Sequence, residues 1–126
     1  MNQINIEYSN NFRRNFKSLS KAQKTLKVDF TSAIRLIKAH FFDNKQVLTP
    51  GRLRPIQDCS KVGSGYDVWR LEIVVQNLKA NLQPRVWFVI HSEGIYFLEI
   101  QLHNRNFKAN RVNERVTKEA AGIFGN

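Results

Sequence analysis

Three stretches decide the fold: Tyr66-Asp67-Val68-Trp69-Arg70-Leu71-Glu72-Ile73-Val74-Val75, Arg85-Val86-Trp87-Phe88-Val89-Ile90-His91 and Ile95-Tyr96-Phe97-Leu98-Glu99-Ile100-Gln101-Leu102-His103. Each is rich in β-branched and aromatic residues with polar groups at alternate positions, the pattern of a half-buried strand. Side chains alternate across a strand with period two. Arg70 and Glu72 therefore share a face, Arg85 lies on the face of Trp87 and Val89, and Glu99, Gln101 and His103 share another. In neighbouring strands these groups converge. Cations, carboxylates and an imidazole gathered on one small sheet describe a surface that handles phosphate.

A connection from about Gln76 to Pro84 and a tight turn at Ser92-Glu93-Gly94 make the three runs an antiparallel meander. Upstream, Ile4, Ile6 and Tyr8 alternate with Asn5 and Glu7, predicting a short first strand. Ser9-Asn10-Asn11 suits a helix start, and Phe12, Phe16 and Leu19 recur at helical spacing amid Arg13, Arg14 and Lys17. Ser20 and Gln23 match a capping box, which predicts a second helix beginning there. Its apolar stripe runs through Leu26, Phe30, Ala33, Ile34, Ile37 and Phe41 to about Phe42. The two helices read as a hairpin packed on the sheet, with their aromatics in the core.

Between Asp43 and Gly65, Pro50-Gly51, Pro55 and Gly63-Ser64-Gly65 mark a long turn-rich connection. It is anchored by Leu53 and Ile56 and carries Arg52, Arg54 and Lys61, read equally well as solvated cations or as phosphate contacts. Beyond His103 the chain is polar and basic. Val112, Val116, Ala120 and Ile123 then recur at helical spacing, predicting a terminal helix. The expected architecture is α+β in a single domain spanning residues 1–126, with the helices on one face of a four-stranded sheet.

With 42% hydrophobic and 24% charged residues the composition is that of a globular chain, not a disordered one. Twenty Lys and Arg against ten Asp and Glu leave a formal charge of +10, which favours encounter with a polyanion and makes nucleic acid the leading partner class. The lone Cys59 forms no internal disulfide, and no cysteine cluster has zinc spacing. The first residues lack the pattern of a signal peptide, and no apolar run approaches the roughly 20 residues that cross a bilayer. The expectation is a cytoplasmic protein without metal, cofactor or membrane partner.

In this order the segments resemble the RelE/ParE superfamily of small toxins. Ile4-Asn5-Ile6-Glu7-Tyr8 with Phe12 and Lys17-Ser18-Leu19 looks like that family's first strand and helix. Gly65-Tyr66-Asp67-Val68-Trp69-Arg70-Leu71 resembles its second strand, and Pro84-Arg85-Val86-Trp87-Phe88-Val89 its third, entered through an arginine. Ile95 to Ile100 with His103-Asn104-Arg105-Asn106-Phe107-Lys108 resembles the fourth strand and its basic exit. The resemblance implies helices on one face of a twisted mixed sheet. For a RelE-like member it implies a ribosome-dependent endoribonuclease that cuts messenger RNA and is held inactive by a cognate antitoxin. For a ParE-like member it implies a DNA gyrase inhibitor. A third reading, from charge alone, is a nonenzymatic basic RNA-binding module.

Cleavage of RNA through the ribose 2′-hydroxyl needs a proton acceptor, an aligned phosphate, cations against the phosphorane and a donor for the leaving oxygen. By the resemblance, Arg70 and Arg85 match the strand cations and Arg105 or Lys108 a later one. Arg85 suits the role of phosphate clamp because a guanidinium presents a planar fork to two oxygens. His103 is the candidate for proton transfer, weighed against an exposed strand-end histidine. Glu72 and Glu99 are alternative bases or, opposite Arg70 and Arg85, ion-pair partners. Arg52, Arg54, Lys61 and Lys108 are candidate RNA contacts, and Trp87 or Phe107 could stack a base. No tyrosine follows Tyr96, which departs from the RelE pattern of a catalytic tyrosine near the carboxy terminus and leaves the proton-transfer roles open.

Overall fold

A computed structural model of the chain describes residues 3–56, 65–75, 78–79, 82–102 and 109–125. Its elements run β1 (Asn5–Tyr8), α1 (Asn10–Ala22), α2 (Leu26–Phe41), β2 (Leu53–Pro55), β3 (Tyr66–Glu72), β4 (Pro84–His91), β5 (Gly94–Leu102) and α3 (Ala109–Phe124). Among the described residues the strands form one mixed sheet in the order β1-β5-β4-β3-β2. The meander β3-β4-β5 is antiparallel, and β1 lies parallel to β5 at the edge.

The sheet has five strands rather than four, because Leu53-Arg54-Pro55 pairs with Leu71-Arg70-Trp69 inside the long connection. Leu53 supplies the buried anchor, and Pro55 closes so short an edge strand since it has no N–H for the ladder. The expectation of helices on one face also needs correcting. Phe12, Phe30 and Ile37 of the hairpin pack with Leu71, Val86, Phe88 and Phe97. Val112, Val116 and Ala120 of α3 pack with Val68, Trp87, Val89 and Leu98. Val86 and Phe88 alternate with Trp87 and Val89 along β4, so these are opposite faces of the sheet. Both faces are covered, which explains why β4 is apolar on each side through most of its length.

The hairpin begins where Ser9-Asn10-Asn11 predicts, but its second helix does not begin at Ser20. Ser9 is the N-cap of α1, its Oγ accepting from the Phe12 N–H at 3.0 Å while its own hydroxyl donates to the Leu98 carbonyl at 2.8 Å. Ser20 instead lies inside α1 and donates its hydroxyl back to the Phe16 carbonyl, so the capping-box expectation fails. The helix ends at Ala22, and α2 starts after Thr25, whose hydroxyl donates to Asp29. The aromatic core beneath includes Tyr8, Phe12, Phe30 and Phe97, with ring centroids 4.9–6.4 Å apart, a range that favours tilted and offset pairs.

Two local features set the phase of β5. Gly94 pairs with Asn5, and a Cβ built on it would lie 1.9 Å from the Asn5 carbonyl oxygen. β1 seats against that bare backbone. Gly94→Ala should therefore push β1 off its register and destabilise the fold by on the order of 3 kcal/mol. The urea unfolding midpoint measures this, and an unchanged midpoint would show that β1 has room to spare. Further along, Trp87 pairs with Glu99 but Phe88 with Phe97, so Leu98 is an extra residue, a β-bulge. Phe97 thereby stays on the hairpin face while Leu98 and Glu99 both turn toward α3.

Candidate functional site

On the α3 side of the sheet, one end is not covered by the apolar stripe of that helix. Arg54 of β2 stands opposite Arg70 of β3, and Arg70 stands opposite Trp87 of β4. Glu72 stands opposite Arg85, which in turn faces Gln101 of β5. Directly opposed residues have Cβ atoms about 5 Å apart and diagonal neighbours about 7–8 Å, so the three guanidinium groups spring from a patch of that scale. Arg54 is exposed, and Arg70 and Arg85 are half-buried. The convergence of strand arginines read from alternation is thus present, with Arg54 as a third member beside Arg70 and Arg85.

Among the described residues the patch carries three strand arginines with Glu72 beside them in register. Burial lowers the pKa of Arg70 first, then its neighbours Arg85 and Arg54 lower it further, and Glu72 works in the opposite sense. Guanidinium groups at this spacing disfavour one another, as the effect of Arg85 and Arg54 on Arg70 shows, and a bound polyanion relieves that repulsion. Two devices hold the strands that carry them. The Arg52 guanidinium donates to the Glu72 carbonyl at 3.0 and 3.3 Å, while its own carbonyl accepts from the Glu72 N–H, so Arg52 fastens edge strand β2 to β3 rather than standing ready for RNA. Buried Gln83 exchanges hydrogen bonds with the Val75 N–H and carbonyl and donates to Leu78, closing the β3–β4 connection just ahead of Arg85.

Trp87 is not where a base-stacking residue should be. It is fully buried beneath α3, and its indole N–H donates to Asn113 Oδ1 at 2.8 Å. It shares the arginine face but fills the space between sheet and helix, because its bulk matches the Val112–Val116 stripe above it. Trp87→Phe should cost about 2–3 kcal/mol through the lost hydrogen bond and the space left beneath α3, and leave RNA affinity unaltered. Weaker RNA binding at undiminished stability would restore the stacking role.

Glu99 also departs from expectation. The bulge sets it opposite Trp87, and its fully buried carboxylate accepts from Asn11 Nδ2 at 2.6 Å, Asn15 Nδ2 at 2.5 Å and the Ile100 N–H at 3.0 Å, and pairs with the half-exposed Arg115 of α3. It is a structural node joining α1, β5 and α3, not a base beside Arg85. The sequence carries one trace of this node: Asn11 and Asn15 stand one turn apart on α1, on a shared face, where asparagine is a poor helix former unless its amide has a partner.

Comparison with protein-family models, with curated proteins and with solved structures yields no match. The reading of the site therefore rests on its chemistry. His40 accepts from the Leu48 N–H and His91 from the Glu93 N–H, both away from the arginines. Lys61, His103, Arg105, Phe107 and Lys108 lie outside the described residues. Among the described residues no helix is long and apolar enough to cross a membrane.

Proposed function

We propose that this chain is the toxin of a type II toxin-antitoxin system, a RelE-like endoribonuclease that cleaves messenger RNA on the ribosome and so works in the cytoplasm. The observation that carries the reading is the Arg54–Arg70–Arg85 patch on three adjacent strands, with Glu72 at its edge. The order of an N-terminal strand, a helix hairpin and an antiparallel meander supports the family resemblance, from which α3 on the opposite face departs. In the reaction the RNA 2′-oxygen attacks phosphorus as its proton passes to a base. The 5′-oxygen then leaves and takes up a proton, giving a 2′,3′-cyclic phosphate and a 5′-hydroxyl end. Arg85 and Arg70 hold the non-bridging oxygens and offset the charge of the phosphorane. Glu72, across the ladder from Arg85, is the described carboxylate nearest in register to that phosphate, and His103 is the second candidate for proton transfer.

The partner fits a different surface. Between α1 and α2 a groove of about 1040 Å³ has Phe12, Phe16 and Phe30 in its floor and Arg13, Lys17, Lys21, Lys24 and Lys27 around it. An apolar floor inside a ring of cations suits an acidic amphipathic segment, the chemistry expected of an antitoxin. Induced expression followed by mapping of transcript ends tests the function. Growth arrest with new 5′-hydroxyl ends inside codons supports it. Filamentation and DNA damage without such ends would replace it with gyrase inhibition, and unimpeded growth would leave a nonenzymatic RNA-binding module.

A further inference from the structure

The end of the same sheet face farthest from the arginines has the opposite character. Tyr66 stands opposite His91 at the start of β3, Tyr96 stands opposite both Val89 and Glu7 of edge strand β1, and Glu93 lies in the adjoining turn. Phe124, in the last turn of α3, closes over them with ring centroids 5.7 Å from Tyr66, 4.9 Å from His91 and 5.7 Å from Tyr96. These groups, with Gly65 and Ser92, line a pocket of about 370 Å³.

Two properties say what this pocket would hold. In a chain with 20 lysines and arginines, the described residues lining it include none, while Glu7 and Glu93 supply two exposed carboxylates. The local field has the matching sign: burial raises the Tyr96 pKa first, Glu119 and Glu7 raise it further, and Arg13 opposes them. Aromatic faces attract a cation through their quadrupoles, and desolvation by surrounding rings strengthens that attraction. Carboxylates at the mouth then supply charge-assisted hydrogen bonds to a guanidinium or ammonium group.

We propose that this pocket is a recognition site for a side-chain cation, the guanidinium of an arginine on a basic polypeptide partner. It stands apart from the arginine patch, and its use does not depend on RNA cleavage. The test is titration of the full chain with acetyl-arginine methylamide, followed by amide NMR shifts, with the neutral isostere acetyl-citrulline methylamide as control. Saturable shifts confined to the residues that line the pocket, Tyr66, His91, Glu93, Tyr96 and Phe124 foremost, are expected. The citrulline compound should bind at least about tenfold more weakly, as should arginine to the Glu7→Gln/Glu93→Gln double variant. That variant alters two exposed side chains, and an otherwise wild-type spectrum certifies its fold. Equal binding of the citrulline compound, undiminished binding by the double variant, or shifts that never saturate would each overturn the proposal.

Discussion

Arg85→Ala is expected to lower transcript cleavage by at least about 100-fold and to release the growth arrest, with the unfolding midpoint nearly unmoved. Arg85 sits half-exposed at the entry of β4, opposite Glu72 and Gln101, so truncation opens no cavity in either core. Arg85→Lys should recover part of the activity, since an ammonium keeps the charge but loses the planar fork. The neighbouring cation sharpens the test. Arg54 is exposed directly opposite Arg70, so Arg54→Gln removes a like-charge pair. It should raise the midpoint slightly while weakening RNA binding and flattening its salt dependence. Opposite signs on stability and function are the mark of a binding residue. Undiminished cleavage by Arg85→Ala, read as transcript ends after induction, would remove Arg85 from the site.

Glu99→Ala should destabilise the fold by about 3 kcal/mol. The carboxylate accepts from two asparagine amides and a backbone N–H and pairs with Arg115, all from within a fully buried position. Arg115 is half-exposed and regains water when its partner goes, so most of the cost falls on the partly buried amides of Asn11 and Asn15 and on the vacated space. Arg115→Ala leaves the fully buried Glu99 carboxylate without its counter-ion and should cost at least as much as Glu99→Ala, a comparison that paired urea titrations measure directly. A clearly smaller cost for Arg115→Ala would mean that the amide donors, not the ion pair, carry the node. Cleavage by surviving folded protein should persist, because Glu99 faces α3 rather than the arginine patch.

What could be read from the chain followed the range of the interaction involved. Alternation along β4 separates Val86, Phe88 and Ile90 from Arg85, Trp87 and Val89, and the sheet keeps that division because strand parity is local. The helical stripes of Phe12 and Phe16, and of Leu26, Phe30 and Ile37, were equally legible. Ser20 misled because the capping-box pattern does not reveal whether its hydroxyl turns forward to an orphan N–H or back to the Phe16 carbonyl. β2 is three residues with a proline, too short to show any period. The side of the sheet taken by α3 is a tertiary fact, and it decided the fate of two site readings. Trp87 and Glu99 share a face with the arginines as alternation predicts, yet the helix lands on them and leaves Arg54, Arg70, Glu72 and Arg85 beyond its apolar stripe.

Leu98, the unmatched residue of β5, divides the longest strand into two lengths that answer to different neighbours. The first is phased by Gly94 and the parallel strand β1, the second by Ser9, the asparagines of α1 and Arg115 of α3. A slip of one residue in an unbroken ladder inverts every side chain from there on. Here an offset is already absorbed midway, so deleting Leu98 would leave Phe97 toward the hairpin and Glu99 toward α3, as they are now. The strand behaves as a coupling with one removable link: the residue between the aromatic, acidic end and the arginine end sets their spacing without setting which way either of them faces.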